Sequence, residues 1–538
     1  NSLFETEEYF ERFKTTDIDV RVISMVDIPE DRMNSIGRWL SRKSPQVARA
    51  LSGYTKVPDL FKWRHLVKLA KGQHYIYNLV KIHVADTKII EELEANPEAL
   101  DIIKQIRKYN FHFVSNISPG FLWAMVTDEN LIFLKQHGYR VEQIRQGTEI
   151  ELHKRIVWGE GMALPPGYHS YDEIIIRLQE LQRLFPDISV LECIGQTQQY
   201  QKDIYAFKLS DNAEVIEEEP KVLISAAIHG NEIMGTEVCL ALLEELLRNY
   251  NRKKQITGFV NSLEIWFIPV INVDGYDTAT RLNPSWRKNG RGVDLNRNFD
   301  YNWETSGSSD PTSRYYRGTA PFSEKETRIL AEFVKEHKFV FSITYHSAEA
   351  RVYFPWRSLE SDSYGFAPEN DLLSEIAGTI AGKIKCLNEK YTYQAVRNVK
   401  TDAYTTNYYY GILGTIDFMI ELGKYDHVYP QPVLNIIIKH NLPGAFYLLE
   451  RAAGPGLSGR VTDAETGKPL HAEVRILKYD NTEISPRTTH PVTGQYYRVL
   501  KPDSYLVLIT APAKQSRLIS EVVVAPQGWT ELNVELKK

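Results

Sequence analysis

Cysteine is scarce in this chain of 538 residues, which contains only Cys193, Cys239 and Cys386. The three are odd in number and far apart, so the sequence predicts neither a disulfide framework nor a zinc site made of thiolates. We expect each of them to be a small, buried apolar residue.

Long hydrophobic runs and an excess of positive charge are also absent. No window approaches the roughly 18 consecutive apolar residues that a membrane-spanning helix needs, so we expect a soluble protein without a membrane span. The formal net charge of -5 offers no basic field to attract nucleic acid. Apolar residues make up 43% and charged residues 25% of the chain, as in ordinary globular proteins, and the length favours roughly two to four domains.

Hydrophobic periodicity and Gly/Pro breaks divide the chain into three zones. The first, residues 1–160, has strand-like runs at 75–85 and 111–127 with helical stretches between them, which predicts an α+β region. The second, 161–453, alternates Val-, Ile- and Phe-rich strand patterns with helices. We therefore expect an α/β fold there, a mixed, mostly parallel sheet sandwiched by helices. The third, 454–538, shows only short strand patterns, which predicts an all-β sandwich.

Two of the predicted strands end in side chains that can bind metals. The apolar run 222–228 puts His229 at a strand end with Glu232 on the turn into the next helix, and SITYHS delivers His346 in the same way. In open α/β sheets, ligands bind outside the carboxyl ends of the strands. Two histidines and one carboxylate suit a catalytic zinc, which keeps a fourth position open for water. An isolated His-x-x-Glu is more often structural than functional, so the prediction depends on what accompanies it.

An arginine-rich segment, WRKNGRGVDLNRNFD at 286–300, accompanies them. It holds Arg287, Arg291 and Arg297, with Asn296 beside the last of these. Planar guanidinium groups suit bidentate capture of a carboxylate, and an amide adds a directional donor. A solvated basic loop is the alternative. The tryptophan, leucine and phenylalanine within the segment favour an arginine-rich surface partly enclosed by apolar walls.

These motifs occur in the order and approximate spacing of the zinc carboxypeptidase family, which the chain resembles over residues 168–450. The resemblance rests on the His229-x-x-Glu232 motif, PVINVDGY, GVDLNRNF, YRGTAPFSEKET, His346-Ser347 and FMIEL. The HGNE motif and the step from Arg287 to Asp294 resemble the carboxypeptidase E, M and D branch more than the pancreatic digestive enzymes.

The flanking zones resemble parts of that family as well. The stretch GRVTDAETGKPLHAEVRI, in the third zone, is similar to the transthyretin-like β-sandwich of the E, M and D branch. Residues 75–146 are similar to the α+β pro-segment of the digestive branch, so the first zone either blocks the cleft or remains as a permanent domain. The resemblance also implies a secreted or periplasmic location, whereas the oligomeric state stays unknown.

The resemblance implies roles for the residues at the matching positions. His229, Glu232 and His346 would ligate one zinc ion, which lowers the pKa of a bound water toward neutrality and polarises the scissile carbonyl. Glu421 would be the general base that takes the proton of the water and passes it to the leaving amine. Arg287 would stabilise the oxyanion that forms on the carbonyl.

By the same resemblance, Asn296 and Arg297 would hold the terminal carboxylate of the substrate. An internal peptide bond offers no such charge, so the implied activity is that of an exopeptidase acting on the C-termini of peptides or proteins. The family has a tyrosine that closes over this carboxylate, but an ungapped count places it at Val399. Tyr404 is the candidate if the loop is shorter.

The side-chain preference depends on Arg357. It stands eleven residues after His346, where the E, M and D branch has an aspartate that selects basic side chains, and the other pocket-floor position falls near Thr406. If Arg357 lies in the pocket, it repels C-terminal Lys or Arg and attracts Asp or Glu. An Arg357 that points into solvent is the equal alternative.

We therefore predict a zinc-dependent carboxypeptidase, and two other functions stay open. The same site hydrolyses any amide whose leaving side carries a carboxylate, so one alternative is an amidase or deacylase acting on acyl-amino acids or cell-wall peptides. The other is a catalytically silent binding relative. The presence of all three metal ligands together with Arg287 and Glu421 argues against the silent relative.

Overall fold

The structure is a computed structural model, and it divides the chain into two compact units, Asn1–Val157 and Trp158–Lys538. It describes residues 76–83, 113–118, 121–126, 131–132, 135, 140–148, 164–215, 217–357, 365–399, 403–424 and 427–538.

The first unit contains a four-stranded antiparallel sheet with the order β2-β3-β1-β4. Its strands are β1 (Ile76–His83), β2 (Phe113–Ser118), β3 (Phe121–Val126) and β4 (Arg140–Thr148). Strands are therefore found within both runs where the sequence pattern predicted them. The helical stretch predicted between β1 and β2 lies outside the described residues.

An eight-stranded sheet forms the centre of the second unit, with the order β11-β10-β12-β9-β7-β8-β6-β5. Its strands are β5 (Ser189–Gln196), β6 (Asp203–Leu209), β7 (Lys221–Ala226), β8 (Glu264–Ile268), β9 (Phe341–Ser347), β10 (Arg351–Arg357), β11 (Gln394–Val399) and β12 (Ile416–Leu422). The four inner strands β12, β9, β7 and β8 run parallel, and β10 pairs in parallel with β11. The remaining pairs are antiparallel, so the predicted mixed, mostly parallel sheet is confirmed.

Helices cover this sheet, because its inner strands are apolar on both faces. They are α1 (Tyr171–Leu184), α2 (Met234–Asn249), α3 (Lys254–Val260), α4 (Val273–Arg281), α5 (Lys325–His337), α6 (Asn370–Lys383), α7 (Thr405–Tyr408) and α8 (Gln431–Ala452). Every residue of β9 is buried, and α1 starts at a capping box in which the side chains of Ser170 and Glu173 bind each other's backbone amides. Within the described chain, every helix is too short or too polar to cross a bilayer.

Residues 454–538 form strands and turns and contain no helix. The strands are β13 (Gly456–Asp463), β14 (Glu473–Ile476), β15 (Gln495–Val499), β16 (Ser504–Thr510), β17 (Arg517–Val523), β18 (Trp529–Glu531) and β19 (Val534–Leu536). In one sheet β13 pairs with β15, β18 and β19, and the other sheet has the order β14-β16-β17. Leu457 from the first sheet and Val507 from the second belong to one hydrophobic core, as expected for an all-β sandwich. The domain boundaries at 160 and 453 and the transthyretin-like relationship stay predictions.

The expectation that every cysteine is buried is wrong for Cys193. All three cysteines are free, with Cys239 buried, Cys386 partly buried and Cys193 exposed. Cys193 lies on β5, which is an edge strand of the eight-stranded sheet. An edge strand is less completely covered than the strands inside the sheet.

Candidate active site

The turn after β7 positions His229 and Glu232. It needs a glycine at Gly230, because a Cβ atom there would lie 2.4 Å from the carbonyl group of Gly275. The amide of Gly230 also donates to the carbonyl oxygen of Arg287 at 2.9 Å. The side chains of His229 and Glu232 are thereby held in a buried position at the carboxyl end of a parallel strand.

His346, on β9, completes a cluster with these two side chains. Its Nδ1 atom lies 3.1 Å from Nδ1 of His229 and 2.8 Å from Oε2 of Glu232, while Nδ1 of His229 lies 2.8 Å from Oε1 of Glu232. Ligands about 2.0–2.1 Å from a tetrahedral zinc are about 3.3 Å apart. The three donors are of the type that zinc binds, and their separations are slightly shorter than this spacing. Although burial opposes ionisation of Glu232, the two histidines hold the pKa of its carboxyl group well below the usual range.

Asp294 stands behind His229. One of its carboxylate oxygens lies 3.1 Å from Nε2 of His229 and accepts the amide of Asn296 at 3.0 Å, and the other accepts Nε of Arg287 at 3.0 Å. Burial works against the charge, but Arg287, Arg297 and His229 hold the pKa of Asp294 well below its usual range. An ionised carboxylate at Nε2 favours the tautomer that leaves Nδ1 of His229 available to a metal.

Arg287 and Glu421 flank the metal-binding cluster. Arg287 donates from Nη1 to Oε1 of Glu232 at 3.1 Å as well as to Asp294. Glu421 lies on β12, paired in register with His346 on the neighbouring parallel strand. Burial, reinforced by the charge of Glu232, raises the pKa of Glu421 to about 8. Such a carboxyl group can exchange protons near neutral pH.

A short 3-10 turn, Leu295–Arg297, brings Asn296 and Arg297 side by side. The side-chain oxygen of Asn296 accepts the amide of Thr405 at 2.9 Å, and its NH2 group lies 3.9 Å from the sulfur of Met419. Arg297 donates from Nη1 to the carbonyl oxygen of Asn296 at 2.9 Å. Both side chains are buried. An amide donor beside a guanidinium group is suited to binding a carboxylate.

Tyr404 lies against this pair, because the Cζ atom of Arg297 is 4.5 Å from the centroid of its ring. The ring of the tyrosine candidate is therefore in contact with the predicted carboxylate-binding arginine. The neighbouring Tyr408 and Tyr410 are 9% and 0% exposed, as expected of packing residues.

Asp294 and Tyr315 were not predicted as site residues. The ring of Tyr315 is 43% exposed and lies 5.7 Å from Cζ of Arg287 and 5.5 Å from Cζ of Arg297, so it bridges the two arginines. The signal for Asp294 was its place between apolar neighbours in the arginine-rich segment. The sequence around Tyr315 carries no signal of this kind, because the position of the ring depends on a loop that folds back. In that loop the amide of Ser308 donates to the carbonyl oxygen of Tyr315.

Arg357 is the last residue of β10, opposite Val399 on β11. The structure describes its backbone but not the surroundings of its side chain, so its place in a pocket stays a prediction.

Thr406 is buried and donates to Oδ2 of Asp417 at 2.7 Å, and two further hydroxyl groups donate to the fully buried Asp417. Burial raises the pKa of Asp417, whereas the three hydroxyl donors favour its ionised form. The position of Thr406 at the floor of a substrate pocket stays a prediction.

Comparison with known proteins shows the family to which the chain is related. The model of the zinc carboxypeptidase family matches residues 174–442, half of the chain. Human mast cell carboxypeptidase A is 25% identical over 398 residues, which cover 68% of this chain and 86% of that protein. The catalytic chain of mouse carboxypeptidase N is 25% identical over 407 residues, which cover 69% and 86%. Among solved structures, thrombin activatable fibrinolysis inhibitor aligns with a TM-score of 0.49 and 19% identity, covering 70% of this chain and 99% of that one.

Proposed function

The chain belongs to the zinc carboxypeptidase family, and from this premise we propose that it removes single residues from the C-termini of peptides or proteins. Family membership makes it a metallocarboxypeptidase, a hydrolase that uses one zinc ion. We assign the zinc to His229, Glu232 and His346. The observation that carries the proposal is the convergence of their ligand atoms within 4.8 Å of one another.

Glu421 and Arg287, beside the metal site, would transfer the proton and stabilise the negative charge of the reaction. When bound, zinc supplies Lewis-acid chemistry, which polarises the scissile carbonyl and makes water a better nucleophile. Glu421 takes the proton of the attacking water and passes it to the leaving amine. Arg287, held in place by Glu232 and Asp294, stabilises the negative charge that develops on the carbonyl oxygen.

Asn296 and Arg297 would restrict the reaction to chain ends. The amide of Asn296 and the guanidinium group of Arg297 bind the terminal carboxylate of the substrate, with Tyr404 packed on the guanidinium group. Binding a charge that internal residues lack fixes the scissile bond at one residue from the end. Their burial supports this role, because a charge-assisted hydrogen bond is stronger away from water.

The preference for C-terminal Asp or Glu is the finer part of the proposal, and it rests on Arg357 alone. The charge of Arg357 would attract an acidic side chain if it faces the pocket. The carboxylate of Asp417, which accepts a hydrogen bond from Thr406, would instead repel an acidic substrate side chain if Thr406 lies at the floor of the pocket. The location outside the cytoplasm that the family resemblance implies is a further proposal, which fractionation of the source cells would check.

The test is to incubate the zinc-loaded protein with peptides that differ only in the C-terminal residue and to follow the products by mass spectrometry. We expect loss of single C-terminal residues, abolished by a chelator and restored by zinc. The same assay on an N-acyl amino acid separates a carboxypeptidase from an amidase. If no peptide is trimmed, either before or after limited proteolysis between 146 and 165, the proposal is wrong. Trimming only after proteolysis would identify the first unit as inhibitory.

A further inference from the structure

A cavity with both polar and apolar walls lies between the C-terminal sandwich and the eight-stranded sheet. Its volume is about 100 Å³, and its walls come from both parts of the second unit. The basic side chains of Lys338 and Arg487 line it together with the backbone of Gly414. The metal-binding residues do not contribute to its walls, so it is a separate site.

Arg487 reaches this cavity from the sandwich. Its side chain is 8% exposed, and both Nη atoms are buried without a hydrogen-bond partner among the described residues. The guanidinium group lies over the ring of Tyr410, 5.0 Å from its centroid. It also rests on Gly414, where a Cβ atom would lie 3.1 Å from Cδ of Arg487. Gly414 has φ +89°, so glycine is favoured there for its backbone conformation as well.

A neighbouring arginine, Arg498, has hydrogen-bond acceptors for both Nη atoms of its guanidinium group. Arg498 donates from both Nη atoms to the carboxylate of Asp480, to Oε1 of Glu369 and to the carbonyl oxygen of Val474. Its charge is therefore balanced within the protein. The charges of Glu369 and Asp480 favour the charged form of Arg487, but neither of its Nη atoms has an acceptor among the described residues. Buried donors without acceptors are unfavourable.

Lys338 adds a second cation to the same cavity. Its Nζ atom donates to the hydroxyl of Thr488 at 2.9 Å, which leaves two of its three donors for other acceptors. Burial, together with the charges of Lys335 and Arg487, lowers the pKa of Lys338 to about 8. The repulsion between Lys338 and Arg487 means that an anion placed between them would stabilise both charged groups.

We propose that this cavity binds a small oxyanion, such as inorganic phosphate or sulfate, between Arg487 and Lys338. The unused groups are hydrogen-bond donors, so the occupant must supply acceptors and negative charge. The cavity has room for several water-sized groups, which suits the oxygens of one such ion. The carboxylates of Glu217, Glu219 and Glu369 also line the cavity and would repel an anion, so the occupant must be compact enough to lie against Arg487 and Lys338. The bound ion would tie the sandwich to the sheet.

The test is isothermal titration of the zinc-loaded chain of 538 residues with phosphate and with sulfate, at constant ionic strength set by chloride. The wild type should bind one ion at this site, and Arg487→Met should weaken binding on the order of tenfold or more. Lys338→Met should also weaken it. The matched control is Arg517→Met, an exposed arginine of the same sandwich, which should bind as the wild type does.

Phosphate could also bind the arginines of the active site, and Arg297→Met separates the two sites. Loss of the measured binding in Arg297→Met, with wild-type affinity in Arg487→Met, would overturn the proposal. So would the absence of any saturable binding by the wild type. If Arg487→Met fails to fold, as judged by circular dichroism, Lys338→Met decides the question, because an unchanged affinity there would also overturn it.

Discussion

The guanidinium group of Arg297 lies over the ring of Tyr404, with 4.5 Å between Cζ and the ring centroid. A contact of this kind contributes about 0.5–2 kcal/mol, more when water is excluded. It joins the loop before α7 to the side chain that we propose binds the substrate carboxylate. The ring of Tyr404 therefore orders Arg297 independently of any contact that the tyrosine hydroxyl makes with the substrate.

Replacing Tyr404 by alanine should weaken substrate binding more than it slows the reaction. We expect Tyr404→Ala to raise KM by about 2- to 30-fold with little change in kcat, because the lost contact acts on the bound carboxylate. Tyr404→Phe keeps the ring and should change KM by less than about threefold. Steady-state kinetics on one peptide measures both, with the exposed Tyr391→Ala as control. An unchanged KM in Tyr404→Ala would contradict the role.

The metal ligands could be predicted from the sequence because their positions follow from local patterns. A buried parallel strand reads as an apolar run, and its carboxyl end is the expected place for a site. His229 and His346 both follow such runs, on β7 and β9. The central strands and the helices between them were predictable for the same reason, since strand and helix periodicity differ.

Residues whose roles depend on tertiary contacts were harder to predict. Asp294 acts through its hydrogen bond to His229, 65 residues away in sequence, and no local pattern reports that distance. Tyr315 reaches Arg287 only because its loop folds back. Cys193 is exposed because of the position of β5 at the sheet edge, which depends on the strand order and not on the sequence of β5.

Glu421→Gln should abolish most of the activity while leaving zinc bound. A glutamine has nearly the same shape but cannot accept the proton of the attacking water, so kcat should fall by about 10²–10⁴-fold. Zinc content measured by atomic absorption should equal that of the wild type, because Glu421 is not among the three ligands. A variant that retains full kcat would show that another group is the base.

The pH dependence of the reaction should also report Glu421. Burial and the charge of Glu232 raise its pKa to about 8, and a general base works only when it is ionised. Activity should therefore rise with pH through the pKa that Glu421 has in the zinc enzyme and fall as the pH drops below it. Bound zinc adds positive charge nearby and lowers the pKa, so kcat/KM of the zinc enzyme should have its acid limb below pH 8. An identical acid limb in the residual activity of Glu421→Gln would assign it to a different group.

Asp294→Asn should weaken zinc binding although Asp294 is not a ligand. Asparagine cannot supply the negative charge that supports His229, and loss of such a partner typically costs about 10–100-fold in metal affinity. Competition with a chromophoric chelator at fixed pH measures the change. Asp300→Asn, at an exposed position of the same segment, is the matched control. Equal zinc affinities in Asp294→Asn and the control would mean that His229 needs no support from Asp294.

The choice of C-terminal side chain can be decided by two separate substitutions, one that reverses the charge of Arg357 and one that removes the carboxylate of Asp417. If Arg357 faces the pocket, Arg357→Asp should raise kcat/KM for C-terminal Lys relative to Glu by at least about tenfold, because apposed like charges cost several kcal/mol. Asp417→Asn removes the charge behind Thr406 and should shift the ratio toward Glu. The ratio is measured with two peptides that differ only in the last residue. An unchanged ratio in Arg357→Asp would place that arginine in solvent, and a shift in Asp417→Asn alone would make the buried carboxylate the group that sets the preference.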